Sequence, residues 1–529
     1  MNVLLGAYDA KRCARRIHNE WDPSLETEPW EAPPAVQMLF DQGRRFQDEV
    51  FAELAGACPG AIDLADVGPK QIIVGATLEA MDRRFPLIMN GWLPDDVAGG
   101  RKGRPDLLVH VGDGRYLPGE VKSHYALREN KKSELTYSLA DAPGVPLTAP
   151  GRTTRDRLDD ALQLAHYWRM LEALGRTPDR PTAIVMGTER TLAWLDLDRP
   201  AFTTFSRTHG TTQRSALERY DHEHGFRLKV ANAAANQEPA LVVPIFVDEC
   251  DACPWYDYCR SITDDNAASA HITKGRLTVR EWQALKALGF ETVDEMAGLD
   301  PTDPDFLGRY LPEVAHRRDA QGRLQTAVRR AQMVRDGVSL ERRTQGPIEV
   351  PSADVEIDLD IEWDPDENVY LWGCLVTDRG RSEYHPHVTW DDMDESSRHA
   401  QAFAAWLREL LAGAEADGRT TLIFHYSPAE TTYLRRLLGD EATDLLEHCV
   451  DLYPIVKRHF FGLHGLGIKP VATAFGFQWR DEDPGGLQSQ AWLQDARAGD
   501  LAARRRLLEY NEDDVRATAV VRRGLRDCG

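Results

Sequence analysis

The chain has 529 residues, 42% hydrophobic and 28% charged, with 85 acidic against 63 basic side chains and a formal net charge of −22. That length predicts roughly two to four folded domains, and the acidic balance excludes a protein that coats nucleic acid nonspecifically, so any DNA contact needs local basic strips and metal ions. No apolar run approaches the ~20 residues of a membrane span, and the start "MNVLLGAYDAKRC" lacks a secretory pattern; the expectation is a cytoplasmic location without membrane contact.

In chain order, the first informative element is "GRPDLLVHVGDGRYLPGEVKS", residues 103–123. Apolar Leu107, Leu108, Val109 and Val111 run into the turn signal "GDG", and Tyr116 and Leu117 resume a strand, which predicts a β-hairpin. With Asp113 at the turn, Asp106 and Glu120 are equidistant from it and become cross-strand partners. Glu120 and Lys122, two apart, leave the same strand face. Two carboxylates and a lysine in that arrangement can hold a divalent cation and orient a water against a phosphodiester; a solvated sheet edge is the competing reading. "RKGR" at 101–104 is a candidate basic strip beside it.

Next, "RLDDALQLAHYWRMLEALG" places Leu158, Ala161, Leu162, Ala165 and Trp168 at helical spacing. Gln163 and Tyr167, i and i+4, project side by side from that helix. "CDACPWYDYC" then clusters Cys250, Cys253 and Cys259; with Cys13 as fourth partner the spacing suits tetrahedral zinc or a cubane iron–sulfur cluster, stapling the ends of the region. Thiolate count alone leaves zinc and iron both open. Cys58, Cys374, Cys449 and Cys528 stand alone.

As a set, "RPD" with Asp106, "GEVK" with Glu120 and Lys122, "QLAHY" with Gln163 and Tyr167, and Cys13 with the CxxCx5C group resemble RecB-like nucleases of the PD-(D/E)XK superfamily. The likeness is greatest to the iron–sulfur branch that includes AddB and the CRISPR-associated adaptation exonucleases. The resemblance implies a mixed sheet flanked by helices over residues 1–262, a Mg²⁺- or Mn²⁺-dependent site cutting DNA with Asp106 and Glu120 as metal ligands, and a 4Fe-4S cluster on Cys13, Cys250, Cys253 and Cys259. Where that family carries His or Glu on an early helix, this chain has Gln47, with Glu49 two residues on.

Residues 263–345 read as a helical linker. "SITDDNAASAHITKGR" is polar and aperiodic, "LTVREWQALKALGFETVDEMAGL" resembles a helix-hairpin-helix element around Gly289, and Arg317, Arg318, Arg323, Arg329, Arg330 and Arg335 crowd a helical stretch. Over 346–529 a second acidic pattern begins with "ADVEIDLDIEWDPDENVYLWGCLV". Val355, Ile357, Leu359 and Ile361 mark one strand face, leaving Asp358, Asp360 and Glu362 on the other. A strand running into a helix brings Glu430, "VDLYPIVKRHF" brings Asp451, and a terminal helix carries Tyr510 and Asp514 side by side.

That order resembles the DEDD exonucleases of the RNase H-like superfamily, in which four carboxylates bind two metals and a tyrosine or histidine positions water. The resemblance implies Asp360, Glu362 and Asp514 as metal ligands, Tyr510 as the water-positioning group and Glu430 in the middle position, where the family has Asp. The expected fold class is therefore α/β, a PD-(D/E)XK domain joined by a helical linker to an RNase H-like domain. The expected function is a metal-dependent deoxyribonuclease, expected to act as an exonuclease, of repair, recombination or defence. A non-catalytic nucleic-acid-binding or adaptor protein is the alternative. No GxxxxGK[ST] loop is present, so a separate helicase would unwind duplex, or the substrate is single-stranded or already open.

Overall fold

The computed structural model describes residues 2–26, 32, 34–206, 208–390, 396–481 and 486–528. Among the described residues the amino-terminal part is built on an eight-stranded mixed sheet. Its strands run, in spatial order, Ile62–Asp63, Leu87–Met89, Leu107–His110, Tyr116–Val121, Thr182–Met186, Leu192–Asp196, Leu127–Leu139 and Ala142–Thr154. Tyr116–Val121 is buried at every position, the pattern of a central strand covered on both faces. Asp113 with φ of 48°, between Gly112 and Gly114 at 106° and 68°, turns the chain where an L side chain is least tolerated. Tyr116–Val121 and Thr182–Met186 pair in parallel, which demands a long crossover. The helix Leu158–Ala173 lies within that connection, with Leu162, Ala165, Trp168 and Leu171 buried.

Residues 268–335 form a helical unit with its own core, from Ile272 and Trp282 to Phe306, Tyr310 and Leu324. Glu281, fully buried, is held by Arg323 through 2.8 and 2.9 Å bonds. Helices Val279–Ala287 and Val293–Gly298 flank Gly289, and the Gly289 and Phe290 amides bond inward to the Lys286 and Leu285 carbonyls. The strand Leu340–Arg342, inside the span read as linker, pairs with Phe460–Gly462 of the last domain.

The carboxyl-terminal part is a five-stranded sheet in the order Arg381–Val388, Val369–Asp378, Val355–Trp363, Thr421–His425, Cys449–Asp451. Its central strand obeys the two-residue period: Val355, Ile357, Leu359 and Ile361 join the core under helix Ser396–Ala416, where Phe403 stacks on Trp372 with ring centres 4.8 Å apart. Glu356, Asp358, Asp360 and Glu362 point the other way. There the terminal helix Leu501–Asp527 crosses the strand, bringing Arg522 to Asp358 and Asn511 to Asp360. No helix among the described residues is long and apolar enough to cross a membrane.

Candidate active sites

The hairpin register pairs Leu107 with Gly119 and His110 with Tyr116, and one further step sets Asp106 opposite Glu120. Asp106 accepts the Val121 amide at 2.9 Å on Oδ2 and the Gln47 Nε2 at 2.6 Å on Oδ1. Glu120, 2% exposed, accepts Lys122 Nζ at 2.9 Å on Oε2, while its Oε1 has no donor among the described residues. Lys122 Nζ also donates to Gln163 Oε1 at 2.8 Å. Tyr167 lies one turn on, and its hydroxyl donates to the Arg104 carbonyl at 3.0 Å, bracing the strand that leads to Asp106.

Burial, then the charge of Asp106, pushes the Glu120 carboxyl up to about 8, and burial likewise raises Asp106. Burial works against the Lys122 ammonium, but Glu120 outweighs it and holds its pKa above the ordinary value. The site is a pair of carboxylates, Glu120 buried and Asp106 half-buried, tied to one internal cation. Of the nearby basic strip, Arg101 is taken by Asp96 and Tyr220, and Arg104 bonds the Asn90 carbonyl. Glu49 pairs with Arg190 instead of joining the acids.

The four cysteines Cys13, Cys250, Cys253 and Cys259 line one pocket beside Phe246 and Trp255. Asn19 Nδ2 donates to Cys259 Sγ at 3.6 Å and the Val247 amide to Cys250 Sγ at 3.5 Å. The Cys13 amide is clamped by the Glu249 carboxylate at 2.9 and 3.0 Å, so the two ends of the region do meet here. Burial pushes the Cys250 thiol up to about 11.

In the last domain, Asp360, Glu362 and Asp514 each bring one oxygen within 4.8 Å of the others. Asn511 Nδ2 donates to Asp360 Oδ2 at 2.8 Å, Ser489 to Glu362 Oε2 at 2.9 Å and Trp479 Nε1 to Asp514 Oδ1 at 2.8 Å. Burial, then Asp514, pushes Glu362 up to about 8. Burial pushes Asp514 up to about 6. Asp360 is raised well above the usual range by burial, then by the charges of Asp514, Glu362 and Glu430. Three oxygen donors that no side-chain cation contacts directly among the described residues, with Lys469 acting on Glu362 and Asp514 through its charge, fit a hard divalent ion such as Mg²⁺ or Mn²⁺.

Tyr510 stands in the same electrostatic neighbourhood, its pKa raised by burial and then by Asp514, Glu362 and Asp360. Lys469 Nζ reaches its hydroxyl at 3.3 Å. Glu430 lies outside the mutual group of three and meets His425 Nδ1 at 3.3 Å, although its charge is felt at Asp360. Asp451 caps the helix Leu452–His459 and accepts the Ser427 amide at 3.0 Å. Asp358, on the same strand face as the group, is consumed by Arg522 through 2.8 and 3.0 Å bonds. Lys469, Trp479, Ser489 and Asn511 were not found by sequence reasoning. Asn511, three residues before Asp514 on one helix face, is the member that spacing could have revealed.

Residues 357–525 match the family model of the RNase H superfamily. That portion is similar to RNase H-like domains, a fold commonly found in metal-dependent nucleases, and the acidic group could hold a metal there. No curated protein and no solved structure matches the chain.

Proposed function

We propose that the chain is a Mg²⁺- or Mn²⁺-dependent deoxyribonuclease with two sites. The carboxyl-terminal site, formed by Asp360, Glu362 and Asp514 with Glu430 adding its charge from outside the group, removes nucleotides from a 3′ end. The amino-terminal site is of the RecB-like PD-(D/E)XK kind, with Asp106 and Glu120 as ligands and Lys122 beside them. The observation that carries this reading is the convergence of Asp360, Glu362 and Asp514 within 4.8 Å, all shifted toward retaining protons when no cation is present.

Cations bound there would supply charge against the phosphodiester and activate water. The chain's own groups do the positioning: Asn511, Ser489 and Trp479 each fix one carboxylate, and the Tyr510 hydroxyl, oriented by Lys469, holds water beside them. At the amino-terminal site Gln163 steadies Lys122. Turning the Gln47 amide over would present a neutral oxygen ligand next to Asp106.

We assign the four cysteines to a 4Fe-4S cluster. Their gathering around one pocket with Phe246 and Trp255 supports that reading, with zinc on the same four thiolates as the alternative. DNA that is single-stranded or opened by a separate helicase is the substrate.

The test is cleavage of labelled single- and double-stranded DNA with Mg²⁺ or Mn²⁺ by wild type, Lys122→Ala, Asp360→Ala and the double variant. Each single variant should keep one activity and the double variant none. A wild type inert on every substrate would leave a nucleic-acid-binding scaffold.

A further inference from the structure

Arg330, on the helix Ala320–Arg335, is 8% exposed, and its Nε and Nη1 have no hydrogen-bond partner among the described residues. Neighbouring arginines are satisfied: Arg323 by Glu281, Arg329 by Glu341, Arg335 by Asp336. Arg330 instead lies over the Phe461 ring, 5.1 Å from its centre, and Arg343 lies near the same ring at 4.7 Å. Burial, then the positive charges of Arg330 and Lys274, lowers the His464 pKa, so this imidazole offers a neutral ring N–H rather than a charge, and its Nδ1 meets Thr273 Oγ1 at 3.2 Å; Lys274 runs alongside Gly465. Two guanidiniums thus meet at one ring, and Lys274 and His464, from two further stretches of chain, lie beside them.

Stacking on Phe461 offsets part of the cost of burying a guanidinium, yet it supplies no acceptor for Nε or Nη1. The nearest acid on this strand pair, Glu341, sits opposite Phe461 and is already held by Arg329. Among the described residues no carboxylate offsets the burial that lowers the Arg330 pKa. In a chain of net charge −22, a basic cluster left without acids is a site waiting for an external anion.

Its position says which anion. Phe461 and His464 open the loop that enters the helix Ile468–Ala474, whose Lys469 reaches Tyr510 in the acidic site. Between His464 and Lys469 the chain spans at most ~18 Å, about five nucleotides at the per-strand rise of a duplex. We propose that Lys274, Arg330, Arg343 and His464 form a phosphate subsite gripping the backbone of the DNA strand whose 3′ end lies at Asp360, Glu362 and Asp514. The proposal rests on the nuclease reading of that acidic site.

Binding is measured in chelator by fluorescence anisotropy, with a single strand of about twelve nucleotides, longer than the at most ~5 nucleotides that the chain between His464 and Lys469 can span. Lys274→Gln/Arg343→Gln should weaken binding about tenfold and reduce the salt slope by about 1.4, the value for two lost contacts to a single strand. Arg330→Met, which keeps the volume, should weaken it as well, in a protein whose melting shows it folded. A labelled dinucleotide should not distinguish wild type from variants. Unchanged affinity and slope for the long strand would overturn the subsite. So would binding of inorganic phosphate with no preference for the long strand over the dinucleotide. Hydrolysis of p-nitrophenyl thymidine 5′-phosphate with Mn²⁺ by the Lys122→Ala protein, whose amino-terminal site is disabled, reports the acidic site separately: failure there, with strand binding still lost in the variants, retires the nuclease reading of that site and keeps the subsite.

Discussion

Gly373 faces Asp360 across the central strand pair, and a Cβ at that position would overlap Asn511 Oδ1 and stand 2.7 Å from its Cγ. Asn511 is the side chain that donates to Asp360 at 2.8 Å and accepts the Tyr384 hydroxyl at 2.8 Å. Gly373→Ala therefore displaces Asn511 and breaks both bonds. One bond to a charged acceptor and one between neutral groups sum to about 2–4 kcal/mol, a fall in melting temperature of roughly 5–15 °C for a domain of this size. Because the lost partner orients a metal-binding carboxylate, Mn²⁺ affinity should fall about 10- to 100-fold. Differential scanning calorimetry and Mn²⁺ titration read the two effects. The mechanism also fixes the double variant: once Asn511→Ala has emptied the space, adding Gly373→Ala should cost less than ~0.5 kcal/mol more. Additive losses in that cycle, or wild-type melting and affinity in Gly373→Ala, would refute the steric account.

Lys122→Ala in an Asp360→Ala background should abolish the remaining cleavage while leaving the melting temperature close to that of Asp360→Ala, since Glu120 can take up a proton once the ammonium is gone; persistent cleavage removes Lys122 from the chemistry. Glu362 and Asp514, pushed by burial to about 8 and about 6, bind protons more tightly folded than unfolded. Their contribution to stability is therefore complete below the ordinary carboxylate range and is lost as pH rises through about 6 and then about 8. In chelator the melting temperature should fall from acid toward pH 9 and be restored by Mn²⁺; Glu362→Gln should flatten the upper part of that fall, and an unaltered profile would show that Glu362 does not titrate there. Anaerobically purified protein should be brown with about four irons per chain, and Cys253→Ser should lose the colour and lower the melting temperature; one zinc and no iron would replace the cluster with a zinc staple.

The Asp106–Glu120 pairing was legible because a glycine-flanked turn fixes hairpin register, and register converts sequence distance into spatial opposition. The acidic face of Val355–Trp363 was legible from its two-residue period. Period alone does not separate Asp358 from Asp360: what separates them is Arg522, 164 residues away in the chain, which takes Asp358. Lys469, Trp479 and Ser489 come from segments whose approach to the strand is a tertiary event without local signature. The strand Leu340–Arg342 is three residues long, too short for a pattern, so it read as linker although it pairs with Phe460–Gly462. Arg101 read as a free basic strip because its partners Asp96 and Tyr220 are one near and one remote, and only the fold brings them together.

The two candidate sites differ in where their positive charge comes from, and that difference has a measurable sign. At the amino-terminal site Lys122 is a built-in counter-charge, 2.9 Å from Glu120. At the carboxyl-terminal site the donors to Asp360, Glu362 and Asp514 are an amide, a hydroxyl and an indole. Lys469 contacts Tyr510, and its charge favours the ionised forms of Glu362 and Asp514, while Arg522, on the helix of Tyr510 and Asp514, is spent on Asp358. Burial and mutual repulsion still hold all three carboxylates above their ordinary range, which leaves charge for an added cation to cancel. Asp360→Asn keeps the acceptor for Asn511 and removes one charge, so at pH 8 in chelator it should raise the melting temperature, and Mn²⁺ should stabilise it far less than wild type. Glu120→Gln removes the partner of a buried ammonium, which is the costly direction for an ion pair, and should lower the melting temperature in chelator. Equal shifts of the same sign in the two variants would mean that Lys122 does not compensate the amino-terminal acids, and the assignment of one internally balanced site and one cation-dependent site would fall.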